Sequence, residues 1–241
     1  MTSSLATAVL DNPAWSSLTG AHTRFAQVNG RAARYDDDVA PFHAVEDPAD
    51  PRAWADLSAL VPAGATVAIV GAGRTVHPGW EIGGSVAGVQ LVSTGPPGAG
   101  VFAADFATVF ETVRLGPADV PEILDLIDRT QPGPFRRRTV ELGVYLGLRT
   151  PGGRLIAMAG ERLHPAGWTE ISAVCTDPAY RKRGLATRLV HTIAAGIRDR
   201  GDTPFLHTSA GNVNAIRLYE SIGFALRRRT DFTQYRRVGP A

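Results

Sequence analysis

A basic, glycine-bearing loop, Arg181-Lys182-Arg183-Gly184-Leu185-Ala186-Thr187, stands between a strand-like run and a helix-like run. Ahead of it, Glu170 to Thr176 has the β-branched content and length of a strand and is closed by Asp177-Pro178. Behind it, Leu185, Leu189, Val190, Ile193 and Ile197 recur at helical spacing until Arg200-Gly201 stops the run. The loop therefore opens a helix. Unpaired backbone N–H groups and the positive end of the macrodipole meet there, and a glycine lets an anion approach the backbone closely. The expected ligand is a phosphate, with pyrophosphate the favoured form.

Other residues with chemical potential lack a supporting pattern. Val67-Ala68-Ile69-Val70-Gly71-Ala72-Gly73 begins like a strand entering a dinucleotide-binding turn, but His77 takes the third glycine position and Pro78-Gly79 follows, so no helix can start there. Asp36-Asp37-Asp38 reads as a solvated turn. The six histidines have no ligand spacing and read as surface or hydrogen-bonded structural residues, so no metal is expected. Cys175 reads as a buried strand residue with no base identified beside it.

The elements that must carry the loop follow from the flanking pattern. Val113-Arg114-Leu115 predicts a first strand, and Pro117 onward a helix with Ile123, Leu124, Leu126 and Ile127 on its apolar stripe. A loop at Gln131–Phe135 precedes a short second helix over Thr139–Tyr145. A hairpin of Leu146–Arg149 and Arg154–Leu163 turns across Pro151-Gly152-Gly153. A fifth strand is expected at Thr203–Thr208, a helix from Asn212, and a final strand pair over Phe224–Val238. The sum is an α/β (α+β) fold, a mixed, largely antiparallel sheet flanked by helices. The first half also alternates: a helix over Ala21–Asn29, a strand near Arg31–Tyr35, a helix over Arg52–Leu60, and strands near Thr66–Val70 and Val86–Val92. Ser93–Gly100 is a reasonable boundary loop, giving an N-terminal α/β domain at 1–106 and a second domain at 107–241.

Arg181-x-x-Gly184-x-Ala186 resembles the phosphate-loop signature of the GNAT acetyltransferases. Val174 to Arg181 is similar to that family's strand-to-turn passage, and Asn212-Val213-Asn214-Ala215-Ile216-Arg217-Leu218-Tyr219-Glu220-Ser221-Ile222-Gly223-Phe224 to its last helix. The likeness covers about 113–238. It implies acetyl-CoA as cosubstrate, held by Arg181, Lys182, Arg183, Gly184, Leu185, Ala186 and Thr187 at the pyrophosphate. Backbone of Val174, Cys175 and Thr176 would run along the pantetheine arm, with Asn212 and Ala215 also touching the cofactor. Tyr219 would protonate the departing thiolate. Glu170 would be the general base, with Glu161 in reserve or a water chain instead. The implied activity is direct N-acyl transfer to a primary amine of a small molecule, an amino acid or a peptide. The acceptor is expected near Thr130–Arg137 and Arg229–Phe232. The alternative is a non-catalytic CoA-binding or sensing module, against which the presence of Tyr219, Asn212 and Glu170 counts. The first 106 residues fit either a degenerate second copy of the family domain or a scaffold.

Composition narrows the classes. The formal net charge of +2 is unevenly shared: five arginines face ten acidic residues up to position 106, and twenty basic face thirteen acidic residues after it. A basic second half suits an anionic cofactor. Arg136-Arg137-Arg138 and Arg227-Arg228-Arg229 come without zinc-finger spacing or an RNA-binding aromatic signature, so they read as solvated faces and nucleic acid is not an expected partner. One cysteine excludes an internal disulfide framework and points to the cytoplasm. Leu5–Leu10 is too short to span a membrane. The oligomeric state is left open.

Overall fold

The structure, a computed structural model, describes residues 7–95 and 110–239. Most of the expected boundary loop, from position 96 on, and the start of the Leu5–Leu10 run lie outside them. A small antiparallel sheet is made by β1 (Ala26–Asn29), β2 (Ala32–Tyr35) and β3 (His43–Val45). The expected helix over Ala21–Asn29 is instead a single 3-10 turn, Thr23–Phe25, followed by β1. Gly30, at φ +52°, turns the chain so that Asn29 pairs with Ala32, and the Asn29-Gly30 hairpin signal outweighs the weak helical spacing.

The second sheet has eight strands. In chain order they are β4 (Thr66–Val70), β5 (Trp80–Ser93), β6 (Glu111–Leu115), β7 (Tyr145–Arg149), β8 (Leu155–Glu161), β9 (Trp168–Thr176), β10 (Thr203–Ser209) and β11 (Phe224–Arg237). In space they run β4-β11-β5-β10-β9-β8-β7-β6, antiparallel throughout except for β9 and β10. The α-helices that lie wholly within the described residues are α1 (Pro13–Leu18), α2 (Pro51–Leu60), α3 (Val120–Thr130), α4 (Leu185–Asp199) and α5 (Val213–Ser221). β8 is buried at every position because it lies between two cores. Leu189, Ile193 and Ile197 of α4 pack with Ile156 and Leu206; Ile123 and Leu126 of α3 pack with Leu155 and Met158.

Two further expectations are corrected. The stretch Phe224–Val238 is not a strand pair: β11 runs unbroken for 14 residues, and nothing between Phe224 and Arg237 is a glycine or proline that could turn it. Its partner is β5, paired from Phe224 opposite Ser93 to Arg237 opposite Trp80. β5 also pairs with β10, so a strand from before position 107 is built into the middle of the same sheet, and β4 forms one of its edges. The second correction concerns Thr139–Tyr145, which forms only a 3-10 turn over Thr139–Leu142 before β7 begins. Gly143 passes so close to Glu161 that a Cβ there would sit 2.6 Å from it, and the chain is drawn out rather than coiled.

Candidate functional site

β9 and β10 pair in parallel only from Trp168 opposite Thr203 to Ile171 opposite Leu206. Beyond that point the two strands splay, and Ser172 to Thr176 on one side and His207 to Ser209 on the other line a cleft of about 1200 Å³. The splay is sharpened by a bulge on β9, where Gly160 faces Ser172 and Met158 faces Cys175. Ala173 sits in that bulge at φ +53°, a left-handed conformation that costs an L-residue roughly 1–2 kcal/mol and re-aims the neighbouring backbone groups. Ala173→Val should therefore lower stability in urea by at least about 1 kcal/mol, while Ala173→Gly is neutral or stabilising. Equal midpoints for the two variants would remove the strain from the account.

Asp177 fixes the turn from β9 into the basic loop. Its buried carboxylate accepts from the Ala179 N–H at 3.0 Å and from Arg154 at 2.8 Å. Gly184 caps α4 at φ +70° and brings no side chain to the helix end; the first helical bond runs from Arg188 N–H to its carbonyl. The N–H groups of Leu185, Ala186 and Thr187 are thus left for a ligand. Arg181, Lys182, Gly184, Leu185, Ala186 and Thr187 all line the cleft. Arg183 does not; its guanidinium lies 5.3 Å from the Tyr180 ring centre. Val174, Cys175 and Thr176 line it from β9 and Asn212, Ala215 and Tyr219 from the α5 side. Asn212 caps α5 by accepting from the Ala215 N–H at 3.2 Å, which leaves its NH₂ for the cleft. This end suits a pyrophosphate with a long polar arm: backbone donors, two cations, and a strand edge without a sheet partner.

Tyr219 is 7% exposed, and no hydrogen bond from its hydroxyl is made among the described residues. Burial pushes its pKa up to about 12, so the phenol stays protonated at neutral pH. Burial likewise pushes the Cys175 thiol up to about 11, which makes it a poor nucleophile.

The two carboxylates lie behind the cleft wall rather than on it. Glu170 is fully buried; Arg162 donates to it through Nε at 2.8 Å and Nη2 at 2.6 Å, and His207 Nδ1 lies 2.7 Å from Oε1. Burial alone would raise its pKa, but the Arg162 charge and hydrogen bonds, with those of His207, hold it down at about 2. The network fixes the His207 tautomer. Gln90 accepts from Arg227 at its Oε1 and donates from Nε2 to the Leu10 carbonyl and to His207 Nε2, so Nδ1 carries the proton toward Glu170. Glu161 accepts from Arg200 and from the Val144 N–H.

The far end of the cleft is where sequence reasoning fell short. Thr130 to Pro134 and Phe232 line it as expected, but Pro41, Phe42, Ala68 and Gly84 to Val86 of the first half do so as well. Phe42 is held by a bridge to Ala68 of β4, and the Phe232 ring lies over Gly88, where a Cβ would come within 2.4 Å of it. Arg162 and His207 were also missed as cleft residues. None of these carries a local motif; only the long-range pairing of β5 with β10 and β11 brings them together. Among the described residues no Asp or Glu lines the cleft.

Comparison with known proteins agrees with this geometry. Residues 145–234 match the family described as FR47-like protein. A crystal structure of a protein from Novosphingobium aromaticivorans, assigned to the GNAT acetyltransferases, is 37% identical with a TM-score of 0.83, over 95% of this chain and 99% of that one. A GCN5-related N-acetyltransferase from Kribbella flavida, 16% identical, covers 93% of this chain and 96% of its own at a TM-score of 0.58, a likeness of fold. The N-alpha-acetyltransferase RimI of Mycobacterium tuberculosis is 37% identical over 91 residues, 35% of this chain and 56% of that protein, so the match spans little more than half of that curated relative.

Proposed function

Because the chain belongs to the GNAT family of acetyltransferases, we propose that it transfers an acetyl group from acetyl-CoA directly to the primary amine of a small molecule, an amino acid or a peptide. The observation that carries this reading is the continuity of one cleft from the α4 N-terminus, past the splayed β9, to an acceptor end walled by both halves of the chain. Leu185, Ala186 and Thr187 N–H groups with Arg181 and Lys182 would hold the pyrophosphate. The β9 backbone at Val174–Thr176 would hold the arm and polarise the carbonyl, as Asn212 and Ala215 line its other side. Acetyl-CoA brings the thioester to be attacked and the thiolate to be released. Tyr219 would give that thiolate its proton. The high pKa of Cys175 supports transfer without an acyl-cysteine.

Glu170 we read as a positioning residue. A carboxylate held near pKa 2 by two partners has little affinity for an amine proton at neutral pH, and Glu161, hydrogen-bonded by Arg200 and the Val144 N–H, does not line the cleft. The amine would enter as its neutral fraction and pass its proton to solvent in the open cleft. Among the described residues no helix is long and apolar enough to cross a membrane. A cytoplasmic setting belongs to this reading and rests on the single cysteine.

Gly184→Val tests the cradle. Acetyl-CoA affinity measured by calorimetry should fall at least about tenfold, because the new side chain obstructs the backbone and disfavours φ +70°. Unchanged affinity would remove this loop as the phosphate site. Firm binding without CoA release across an amine panel would favour the sensing module instead.

A further inference from the structure

The acceptor end of the cleft is unusual for a site that takes an amine. Its charged side chain is Arg162, the other cations of the lining being Arg181 and Lys182 beside α4, and no carboxylate faces the space among the described residues. An acceptor carrying a second ammonium, such as a diamine or a lysine-rich peptide, would find no carboxylate on the cleft lining to pair with. Arg162 itself is held rigidly. Its side chain is 14% exposed, its Nε and Nη2 are fixed on Glu170, and its Cζ lies 4.9 Å from the Phe42 ring centre. Nη1 has no hydrogen-bond partner among the described residues, and it is not among the buried polar atoms left without one. Arg162 lines the cleft, and Nη1 is the one nitrogen of its guanidinium without a hydrogen bond among the described residues. Beside it stand apolar walls, Phe42, Phe232 and Val86, with His207 edge-on to Phe232 at 6.0 Å.

We propose that the acceptor is a free α-amino acid or a close analogue, a small primary amine with its own carboxylate beside it, and that Arg162 Nη1 receives that carboxylate. This rests on the acyltransferase reading above and narrows its acceptor. The carboxylate makes a charge-assisted hydrogen bond with a guanidinium that is already oriented, so little side-chain freedom is lost on binding. The substrate's side chain then lies against Phe42, Phe232 and Val86. A peptide N-terminus puts a neutral amide where the carboxylate would be, and its following residues would have to pass these walls.

The test uses the wild-type full chain with acetyl-CoA and the free amino acids in parallel with their amides, the decarboxylated amines and dipeptides, reading CoA release. The best free amino acid should exceed its own amide and its decarboxylated amine by at least about tenfold in kcat/KM, the usual order for a hydrogen bond to a charged group. In Arg162→Lys, which keeps a charge beside Glu170, that ratio should shrink toward one. Equal or faster turnover of amides, dipeptides or diamines would overturn the carboxylate assignment while leaving the transferase reading standing. Release with no amine at all, despite acetyl-CoA binding, would overturn both.

Discussion

Tyr219→Phe is expected to lower kcat by about 10²–10⁴-fold, the usual size of a general acid–base contribution, with acetyl-CoA affinity nearly unchanged. The hydroxyl lines the cleft, makes no hydrogen bond among the described residues, and is kept protonated by burial, with its pKa pushed up to about 12. It is therefore held in the form that can give a proton, and it is needed only as charge grows on sulfur. Phenylalanine retains the ring that packs edge-on to Phe224 at 6.2 Å, so the core around α5 stays filled. Steady-state rates together with calorimetric acetyl-CoA binding check the point. A change in kcat below about threefold would remove Tyr219 from the chemistry and leave it a core residue.

The second large effect falls on stability. Glu170→Gln should destabilise the protein by up to about 3–5 kcal/mol, the usual cost of breaking a buried ion pair from one side, because Arg162, whose side chain is 14% exposed, keeps its charge without its partner. Denaturant unfolding of the variant measures this. Removing both charges, Glu170→Gln with Arg162→Met, should cost less than the sum of the two single changes. The pH dependence has a defined sign. Glu170 is ordinarily near 4.5 and is held at about 2 in the folded chain, so its contribution is complete above about pH 4.5 and is lost as the pH falls toward 2. The variant should lack that loss. Under the positioning role, the acidic limb of its pH–rate profile also remains; disappearance of that limb would return Glu170 to the role of base.

What could be read from the sequence is what is local. The β9–loop–α4 passage, the β7–β8 hairpin and the Asn212-capped α5 are each specified by residues within a dozen positions of one another. Turn formers, a cap and an apolar stripe are all present in those windows. The α4 end of the cleft is assembled from these pieces, which is why the residues expected there all line it except Arg183, whose side chain lies at the Tyr180 ring. The acceptor end is not local. Phe42, Val86, Arg162 and Phe232 come from four separated stretches, and their meeting depends on β5 entering between β10 and β11. The period-two pattern of Val86 to Val92 predicts a strand but not its neighbours. Glu170 was named through the family resemblance, whereas its surroundings are set by Arg162, eight residues away across a strand connection, and by His207 on the next strand.

The position of β5 also bears on how the chain comes to be made. Its two neighbours, β10 and β11, begin at Thr203 and Phe224, more than a hundred residues after it. During synthesis the 14-residue β5 emerges long before either edge can be covered, and Gln90 must wait for Arg227 and His207 to complete its hydrogen bonds. Such distant pairings close late and slowly, and an uncovered edge of that length invites pairing with another chain. Expression that begins near position 107, the expected domain boundary, would leave β10 and β11 without the strand between them. The nascent chain therefore has to carry β5 with both edges uncovered until β10 and β11 have been added.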